Sequence, residues 1–292
     1  MKTKSVVTTT VLSSMMMLSS CTPENELAEV TVKKSLRIIF DAEIIFTRGA
    51  NEGNEYVLHV AQFDAESGEE IQNRITQTVS ISEGKTTVSV EVAPGTDELV
   101  VFAQKKGCNA FDIADMKAIR MTGQVDGLFD CLYGTAKGIS NKNNSIDVTL
   151  RSPLAGIHVY NTIEDTEYAK MCGIELQGAV TTSTVKNTGT TLHPLSGTVA
   201  ADEQPVTYRS VLSGQRENIY GEEYYHLGSC YMFYLDKGLV ENKFSVLQEG
   251  YNRIDNTLTN IPVKQGAETI IAGSFLTCDV TFNIVINPSF DN

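Results

Sequence analysis

The sequence predicts an all-β protein of two tandem β-sandwich domains with at most one or two short helices. Short segments alternate between apolar and polar residues, which is the period-two pattern of strands with one buried face. Turn signals rich in Gly, Asn and Pro separate these segments. A chain of 292 residues that is 41% hydrophobic is long enough to form two cores. We place the domain boundary at Arg151-Ser152-Pro153, between domains of residues 35–150 and 151–292.

Residues 1–20 have the features of a lipoprotein signal peptide. Lys2 and Lys4 precede an apolar run, and Leu18-Ser19-Ser20-Cys21 places small residues before a cysteine. This pattern predicts cleavage before Cys21 and acylation of its thiol, which would anchor the chain in outer-membrane lipid with the folded part exposed at the cell surface. The alternative is an ordinary secretory signal followed by an incidental cysteine. No other segment approaches the roughly 18 apolar residues of a membrane span.

A flexible tether is predicted for residues 21–34, because the segment after Cys21 is polar, acidic and contains Pro23. Signal cleavage removes Lys2 and Lys4, so the formal net charge of −13 becomes −15. This acidity argues against nucleic acid and anionic lipid headgroups as partners.

The segment after the tether is predicted to be a long, half-buried strand. Polar residues such as Arg37, Asp41 and Glu43 separate its apolar positions. The apolar positions are Leu36, Ile38, Phe40, Ala42, Ile44 and Phe46. The Gly- and Asn-rich loop that follows begins at Arg48-Gly49, and an exposed arginine there is a candidate protease cleavage site. The alternative is a hairpin loop with an ordinary surface arginine.

Further strands are predicted along both halves of the chain. In the first half they cover residues 56–63, 77–81, 86–92, 99–103 and 145–150, in a meander or Greek key. A short helix is predicted for residues 111–121, because Asp112 can cap it and Ile113, Met116 and Ile119 have helical spacing. In the second half the predicted strands cover residues 154–162, 174–182, 207–212, 224–235, 243–248, 256–262 and 280–286.

The sequence offers no pattern typical of a metal site, a cofactor site or an enzyme. The four histidines are scattered, and no nucleophile elbow, phosphate loop, dinucleotide fingerprint or Cys-His signature occurs. We therefore expect no catalytic residues, no metal and no cofactor. The cysteines other than Cys21 are odd in number and lack C-x-x-C spacing, so we expect mostly buried free thiols. They are Cys108, Cys131, Cys172, Cys230 and Cys278.

A tyrosine-rich segment is a candidate ligand loop. Tyr220, Tyr224 and Tyr225 present apolar rings with polar tips, which suits stacking on a sugar or contact with a protein. The alternative is a tyrosine-rich strand that enters the sandwich.

Three stretches of the chain resemble fimbrillin-like lipoproteins of the Bacteroidales and, more narrowly, a domain of unknown function found among them. These stretches are Arg-Ser-Pro-Leu-Ala at 151–155, Phe-Asp-Cys-Leu-Tyr-Gly at 129–134, and the closing run from Ile261-Pro262-Val263 to Asn287-Pro288. The resemblance covers nearly the whole mature chain. It implies two transthyretin-like or immunoglobulin-like sandwiches of the kind found in type V pilus subunits.

The resemblance also implies a route of assembly. In such pilins an arginine-specific protease cuts after the first strand, and the matching bond here is Arg48-Gly49. Loss of the first strand leaves a groove that a strand of a like subunit fills. The candidate donor is the last strand, which places Val280, Phe282, Ile284 and Ile286 on one face. The alternative is that this strand belongs only to its own sandwich.

The sequence thus predicts a cell-surface lipoprotein that is a fimbrial subunit or a pilus-associated component, located at the outer membrane or in a fimbrium. The alternative is a surface module that captures a glycan or a host protein without polymerising.

Overall fold

The computed structural model of this chain consists of strands and one short helix in the residues it describes, which confirms the predicted all-β class. It describes residues 32–40, 55–80, 85–139, 145–200, 205–251, 253–277 and 281–286. Within this part, twenty strands and one helix occur. Thr31–Asn292 form one compact unit.

The first half of the chain forms an N-terminal sandwich of two sheets. One sheet has the order β4 (Lys85–Val92), β1 (Val32–Phe40), β9 (Ser145–Leu150). The other has the order β3 (Glu70–Ser80), β2 (Glu55–Asp64), β5 (Thr96–Lys105), β8 (Cys131–Lys137). Inward side chains of both sheets, among them Leu36, Val90, Leu58 and Val101, form one core. Strand β1 therefore lies in the centre of its sheet, antiparallel to β4 and parallel to β9.

Strands β2 and β5 are buried on both faces, which explains their continuous apolar runs. In β5, Val101 faces the core of the N-terminal sandwich, while Phe102 packs into a second core on the other side. There Phe111 lies between Phe102 and Phe233, with ring centroids at 5.5 Å and 5.9 Å. These aromatic contacts join the two halves of the chain.

The second half of the chain forms a C-terminal sandwich. One sheet has the order β15 (Arg216–Ile219), β16 (Glu222–Phe233), β10 (Leu154–Asn161), β19 (Glu268–Ser274), β20 (Thr281–Ile286). The other has the order β14 (Val206–Val211), β11 (Val180–Lys186), β17 (Lys237–Leu247), β18 (Ile254–Lys264). Their inner faces share a core that includes Ile157, Leu227, Phe244 and Ile261.

A small sheet connects the two halves. Its order is β13 (Thr198–Ala200), β12 (Thr191–His193), β7 (Ile119–Met121), β6 (Phe111–Asp112). Strand β7 precedes residue 150 and β12 follows it, so backbone pairing crosses the predicted boundary. The division into domains of residues 35–150 and 151–292 stays a prediction.

The predicted helix over residues 111–121 is wrong. This segment contains β6 and β7 with bends between them. The carboxylates of Asp112 and Asp115 accept hydrogen bonds from the backbone N–H groups two residues on, at 2.9 Å and 2.8 Å, and such local turns compete with a helix. Met116, which lies between β6 and β7, and Ile119, the first residue of β7, are both fully buried in the core. Their helical spacing therefore reflects core burial without a helix.

The helix lies elsewhere, at α1 (Ile163–Met171), between the predicted strands of residues 154–162 and 174–182. Thr162 caps it by accepting a hydrogen bond from the N–H of Asp165 at 3.4 Å. The carboxylate of Asp165 is buried and accepts from the N–H of Leu276 at 2.8 Å, so a polar side chain attaches the helix to the sandwich. The strand itself starts later, at Val180. Among the described residues, no helix is long and apolar enough to span a bilayer.

Four cysteines in the described residues are free thiols. Cys131 and Cys230 are buried, and burial raises the pKa of both thiols, that of Cys230 to about 12. Cys108 is half-buried and Cys172 is exposed, and Cys278 lies outside the described residues.

Candidate functional site

Strand β1 is the candidate strand for removal, and it is inserted between two partners. Leu36 pairs with Val88 of β4 on one side and with Ile146 of β9 on the other. The side chains of Leu36 and Ile38 are fully buried in the core. These two residues occupy the inward positions that the alternation predicts.

The walls of this site are apolar. Val88, Val90 and Val92 of β4 face the core from one side. Ile146, Val148 and Leu150 do so from β9. Without β1, these strands would lose a backbone hydrogen-bonding partner along facing edges, and the core would be open between them. Such a gap accepts a strand with alternating apolar residues.

On the outer face of the same sheet, Arg37 and Asp147 form an ion pair. The Nε atom of Arg37 donates to Oδ1 of Asp147 at 2.7 Å, and Nη2 donates to Oδ2. Hydrogen bonding to Asp147, and then its charge, raise the pKa of Arg37. Both side chains are exposed, so solvent screens this pair.

Several residues of the predicted processing route lie outside the described residues. These are Cys21, Ala42, Ile44, Phe46, Arg48 and Gly49. Phe40 is the last residue of β1, opposite Leu150. The lipidation and cleavage predictions therefore stay predictions.

The candidate donor strand is an edge strand of the C-terminal sandwich. Strand β20 pairs antiparallel with β19 and is last in the order of its sheet. Ile284 is half-buried and Asn283 is exposed. Phe282 and Ile286 are positions of the strand, and Val280 lies outside the described residues.

The structure separates the three tyrosines of the candidate ligand loop. Tyr220 and Gly221 have φ of 52° and 94°, which makes them the two central residues of a tight β15–β16 hairpin turn. The side chain of Tyr220 is 59% exposed at its tip. Tyr224 and Tyr225 are consecutive in β16 and project to opposite faces.

Tyr225 is buried in a polar contact between the hairpin and α1. Its hydroxyl accepts from Nε of Arg216 at 3.1 Å and from Nζ of Lys170 at 3.2 Å, and donates to Oε1 of Glu167 at 3.2 Å. The Lys170 ammonium and the Arg216 guanidinium also lie over the ring of Tyr225, at 5.1 Å and 5.4 Å from its centroid, respectively. This geometry assigns Tyr225 to packing. Tyr224 is half-buried and its hydroxyl donates to Oε2 of Glu222, and Tyr220 is the most exposed of the three.

A polar cluster on β10 and β16 was not predicted from the sequence. The Oγ atom of Ser229 lies 2.7 Å from Nδ1 of His158 and 2.8 Å from Nε2 of His226. Glu217 and Glu268 flank the two imidazoles, at 3.6 Å from Nδ1 of His226 and 3.3 Å from Nε2 of His158. The contact between Glu268 and Nε2 of His158 lacks hydrogen-bond geometry. Because a hydroxyl has one proton, Ser229 donates to one imidazole and accepts from the other.

Burial shifts the pKa of two groups in this cluster. It lowers the pKa of His226, against the opposing charge of Glu217. Burial also raises the pKa of Tyr160, whose hydroxyl donates to Oε2 of Glu217 at 3.0 Å. The hydrogen bonds of Ser229 and Tyr160 therefore link β10, β15 and β16. Only the strand register brings these distant residues together, which is why sequence patterns missed them.

The chain is similar to a known family and to several solved structures. A model described as a family of unknown function (DUF6562) matches residues 24–292. Curated proteins give no match. Solved structures with a similar chain course include the tip fimbrial protein Mfa3 from Porphyromonas gingivalis with C-terminal truncation, at 11% identity and a TM-score of 0.44 over 88% of this chain and 100% of that one.

Two further structures are similar over most of their length. A fimbrial assembly protein from Parabacteroides distasonis has 13% identity and a TM-score of 0.44, over 89% of this chain and 100% of that one. A protein from Bacteroides ovatus, inferred to be an adhesin, has 12% identity and a TM-score of 0.49, over 88% of this chain and 94% of that one.

Proposed function

The chain belongs to DUF6562, a family of unknown function, and we propose that this member is a non-enzymatic fimbrial subunit or pilus-associated component of the cell surface. The observation that carries the proposal is the position of β1, an N-terminal strand held between β4 and β9. A single cut after this strand would detach a central part of a sheet and leave the rest of the sandwich connected.

In the proposed route, acylated Cys21 anchors the precursor in outer-membrane lipid. An arginine-specific protease then cuts between Arg48 and Gly49, and the residues before Gly49 leave with β1. A strand from a like subunit takes the vacant place, so that each subunit completes the next by strand exchange.

The energetics favour refilling over an empty groove. Full burial of a Leu or Ile side chain contributes about 1.5–3 kcal/mol, and β1 buries Leu36 and Ile38 completely. The backbone edges of β4 and β9 add unpaired donors and acceptors once β1 has left. A cleaved subunit is therefore expected to bind a replacement strand or to lose stability.

The donor in this proposal is β20. As an edge strand it pairs with β19 alone among the described strands. Its release would break the backbone hydrogen bonds to one neighbouring strand, whereas release of a central strand breaks those to two. This asymmetry supports β20 as the mobile partner in subunit exchange.

Limited digestion tests the route. A trypsin-like protease should shorten the protein to an N-terminus at Gly49, and the product should form ladders that resist SDS. Arg48→Ala should abolish both results. Arg253→Ala is the matched control, because Arg253 is an exposed arginine paired with Asp255 at 2.6 Å, far from β1 in the sequence. Undiminished polymerisation of Arg48→Ala would refute processing at this bond.

A second function, capture of a glycan or host protein by a monomeric surface module, is favoured by one observation. Tyr220 presents an exposed ring at the tip of the β15–β16 hairpin turn. In that case Tyr220→Ala should abolish binding on a glycan array or to host extracellular proteins, and the protein should stay monomeric after protease treatment. A turnover screen on glycans and peptides tests the proposed absence of enzyme activity.

A further inference from the structure

Removal of β1 would leave both walls of its groove without a strand partner. In the three-stranded sheet β1 lies between β4 and β9, and each of these strands pairs with β1 alone among the described strands. Because adjacent strands are about 4.7–4.9 Å apart, an incoming strand needs the two walls about 9–10 Å apart. The core exposed between the walls favours closure of the gap, which removes apolar surface from water. The groove therefore stays open only if contacts outside this sheet hold its walls.

Strand β9 has such a contact just beyond its last residue, Leu150. The backbone groups of Tyr133 and Arg151 exchange two hydrogen bonds, both at 2.9 Å, and these attach the chain to β8 of the other sheet. Gly134, next to this bridge, allows the backbone of β9 to approach β8 closely. Neither contact involves β1, so we expect β9 to keep its place when β1 leaves.

Strand β4 is held at its C-terminal end by the side chain of Gln62, which comes from β2 of the other sheet. This side chain is buried at the corner where the chain passes from β4 to β5. Its Nε2 atom donates to the carbonyl oxygen of Glu91 at 2.8 Å. Its Oε1 atom accepts from the backbone N–H of Ala93 at 2.8 Å and from the hydroxyl of Thr96 at 3.0 Å. One amide therefore binds the backbone of β4 on both sides of Val92.

The two anchors lie at opposite ends of the groove. Val92 is opposite Val32, the first residue of β1, whereas Leu150 is opposite Phe40, the last. The β9 anchor consists of backbone groups, but the β4 anchor depends on a side chain. A buried amide is costly unless it is hydrogen-bonded, and Gln62 meets this requirement through the corner that it holds.

We propose that Gln62 is a positioning residue for strand exchange, which fixes the end of β4 to β2 and so keeps the groove open after β1 has left. This inference rests on the proposed strand exchange and adds what preserves the receiving groove. In the intact chain β1 itself orders β4, so loss of the Gln62 contacts has its largest effect when the groove is empty. The apparent affinity for a strand then falls in proportion to the fraction of molecules whose groove is open.

A peptide-binding experiment on the full chain tests the proposal. Residues 49–54 are replaced by the recognition sequence of a specific protease, the immobilised protein is cut, and the fragment that contains β1 is washed away. The probe is a fluorescent peptide of residues 30–47, because β1 has a defined register in this groove. Gln62→Met keeps the length of the side chain and removes its amide. It should weaken peptide binding by about tenfold or more.

Thr96→Val and Thr96→Ser are a matched pair of variants. Thr96→Val removes the hydroxyl that donates to Oε1 of Gln62 and should weaken peptide binding by about threefold. Thr96→Ser keeps a hydroxyl and should bind the peptide as the parent does. If Gln62→Met does not fold, this pair decides the question, and equal binding by the two Thr96 variants would overturn the proposal.

Hydrogen exchange distinguishes positioning from a general loss of stability. In Gln62→Met with an empty groove, the amides of β4 should exchange about tenfold faster than in the emptied parent. In the uncut protein, where β1 pairs with β4, they should exchange within about threefold of the parent rate. A purely structural role of Gln62 would instead accelerate exchange in β2, β4 and β5 alike, to the same degree in cut and uncut protein.

Equal peptide affinity of the emptied parent and Gln62→Met, or that uniform acceleration, would overturn the role of Gln62 while leaving strand exchange intact. Failure of the emptied parent to bind the β1 peptide would overturn strand exchange at this groove and the present inference with it.

Discussion

Arg37 of β1 and Asp147 of β9 are joined by a two-point ion pair across a parallel strand pair, although they lie 110 residues apart in the sequence. Because both side chains are exposed, we expect this pair to contribute little to stability. Asp147→Asn should leave the thermal unfolding midpoint nearly unchanged at moderate salt. Asp255→Asn, which removes the exposed partner of Arg253, is the control. A large loss of stability specific to Asp147→Asn would show that the pair holds β1 in place.

The buried residues of β1 should behave in the opposite way. Leu36→Ala and Ile38→Ala each remove a fully buried aliphatic side chain and should lower the free energy of unfolding by about 2–5 kcal/mol. Urea unfolding followed by circular dichroism measures this. Val211→Ala, at a side chain that is 70% exposed, should change it by less than about 0.5 kcal/mol. Similar small effects at all three sites would mean that β1 adds nothing to the core.

Acid should destabilise the protein in part through His59. Burial, and then the charge of Arg74, lower the pKa of His59 from its usual value of 6.5. The unfolded chain therefore binds this proton more readily, and stability falls as the pH drops through 6.5 towards the folded pKa. Its Nε2 atom is buried without a hydrogen-bond partner, and Nδ1 lies 3.3 Å from Oγ1 of Thr76.

Urea unfolding between about pH 7.5 and about pH 5 measures the slope of stability against pH. His59→Gln should make it shallower, because the titrating group is gone. Arg74→Gln should make the slope partially shallower, because the pKa of His59 is then no longer lowered by the charge of Arg74. An unchanged slope in both variants would contradict this assignment.

Gly134 of β8 should not tolerate a side chain. A Cβ atom there would lie 2.3 Å from the carbonyl oxygen of Thr149 and 2.8 Å from Cγ1 of Val148, both in β9. Gly134→Ala should lower the free energy of unfolding by about 1–3 kcal/mol or more, since the two sheets must separate locally. Thr135→Ala, the half-buried neighbour, is the control for a small change in β8. Equal stability of the two variants would contradict the close approach of β8 and β9.

The sequence predicted best where one face of a strand is buried. The alternation of β1 and β4 revealed both strands, and residues 145–150 match β9. Strand β8 was missed because Gly134 interrupts its apolar run at the point where β9 comes close. Such an approach depends on residues from another part of the chain, so no local pattern reports it.

Helix α1 was missed for a different physical reason. Its buried residues are Asp165, Thr166 and Ala169, so it has no apolar face for periodicity to detect. The capping signal, Thr162 followed by Glu164 and Asp165, was present and would have indicated the helix. The Ser229 cluster had no comparable signal, since His158 and Ser229 meet only through the pairing of β10 with β16.

The parallel pairing of β1 with β9 also bears on how the chain reaches its native state. Leu36 pairs with Val88, which is the nearer of its two partners in the sequence. Its other partner, Ile146, follows Leu36 by 110 residues. Long sequence separation between paired strands slows folding and prolongs exposure of strand edges. In the proposed export from the N-terminus, the sheet around β1 stays incomplete until the chain has emerged past residue 150. In that setting, a chaperone that shields the edges of β1 and β4 would protect the same surfaces that the proposed strand exchange uses.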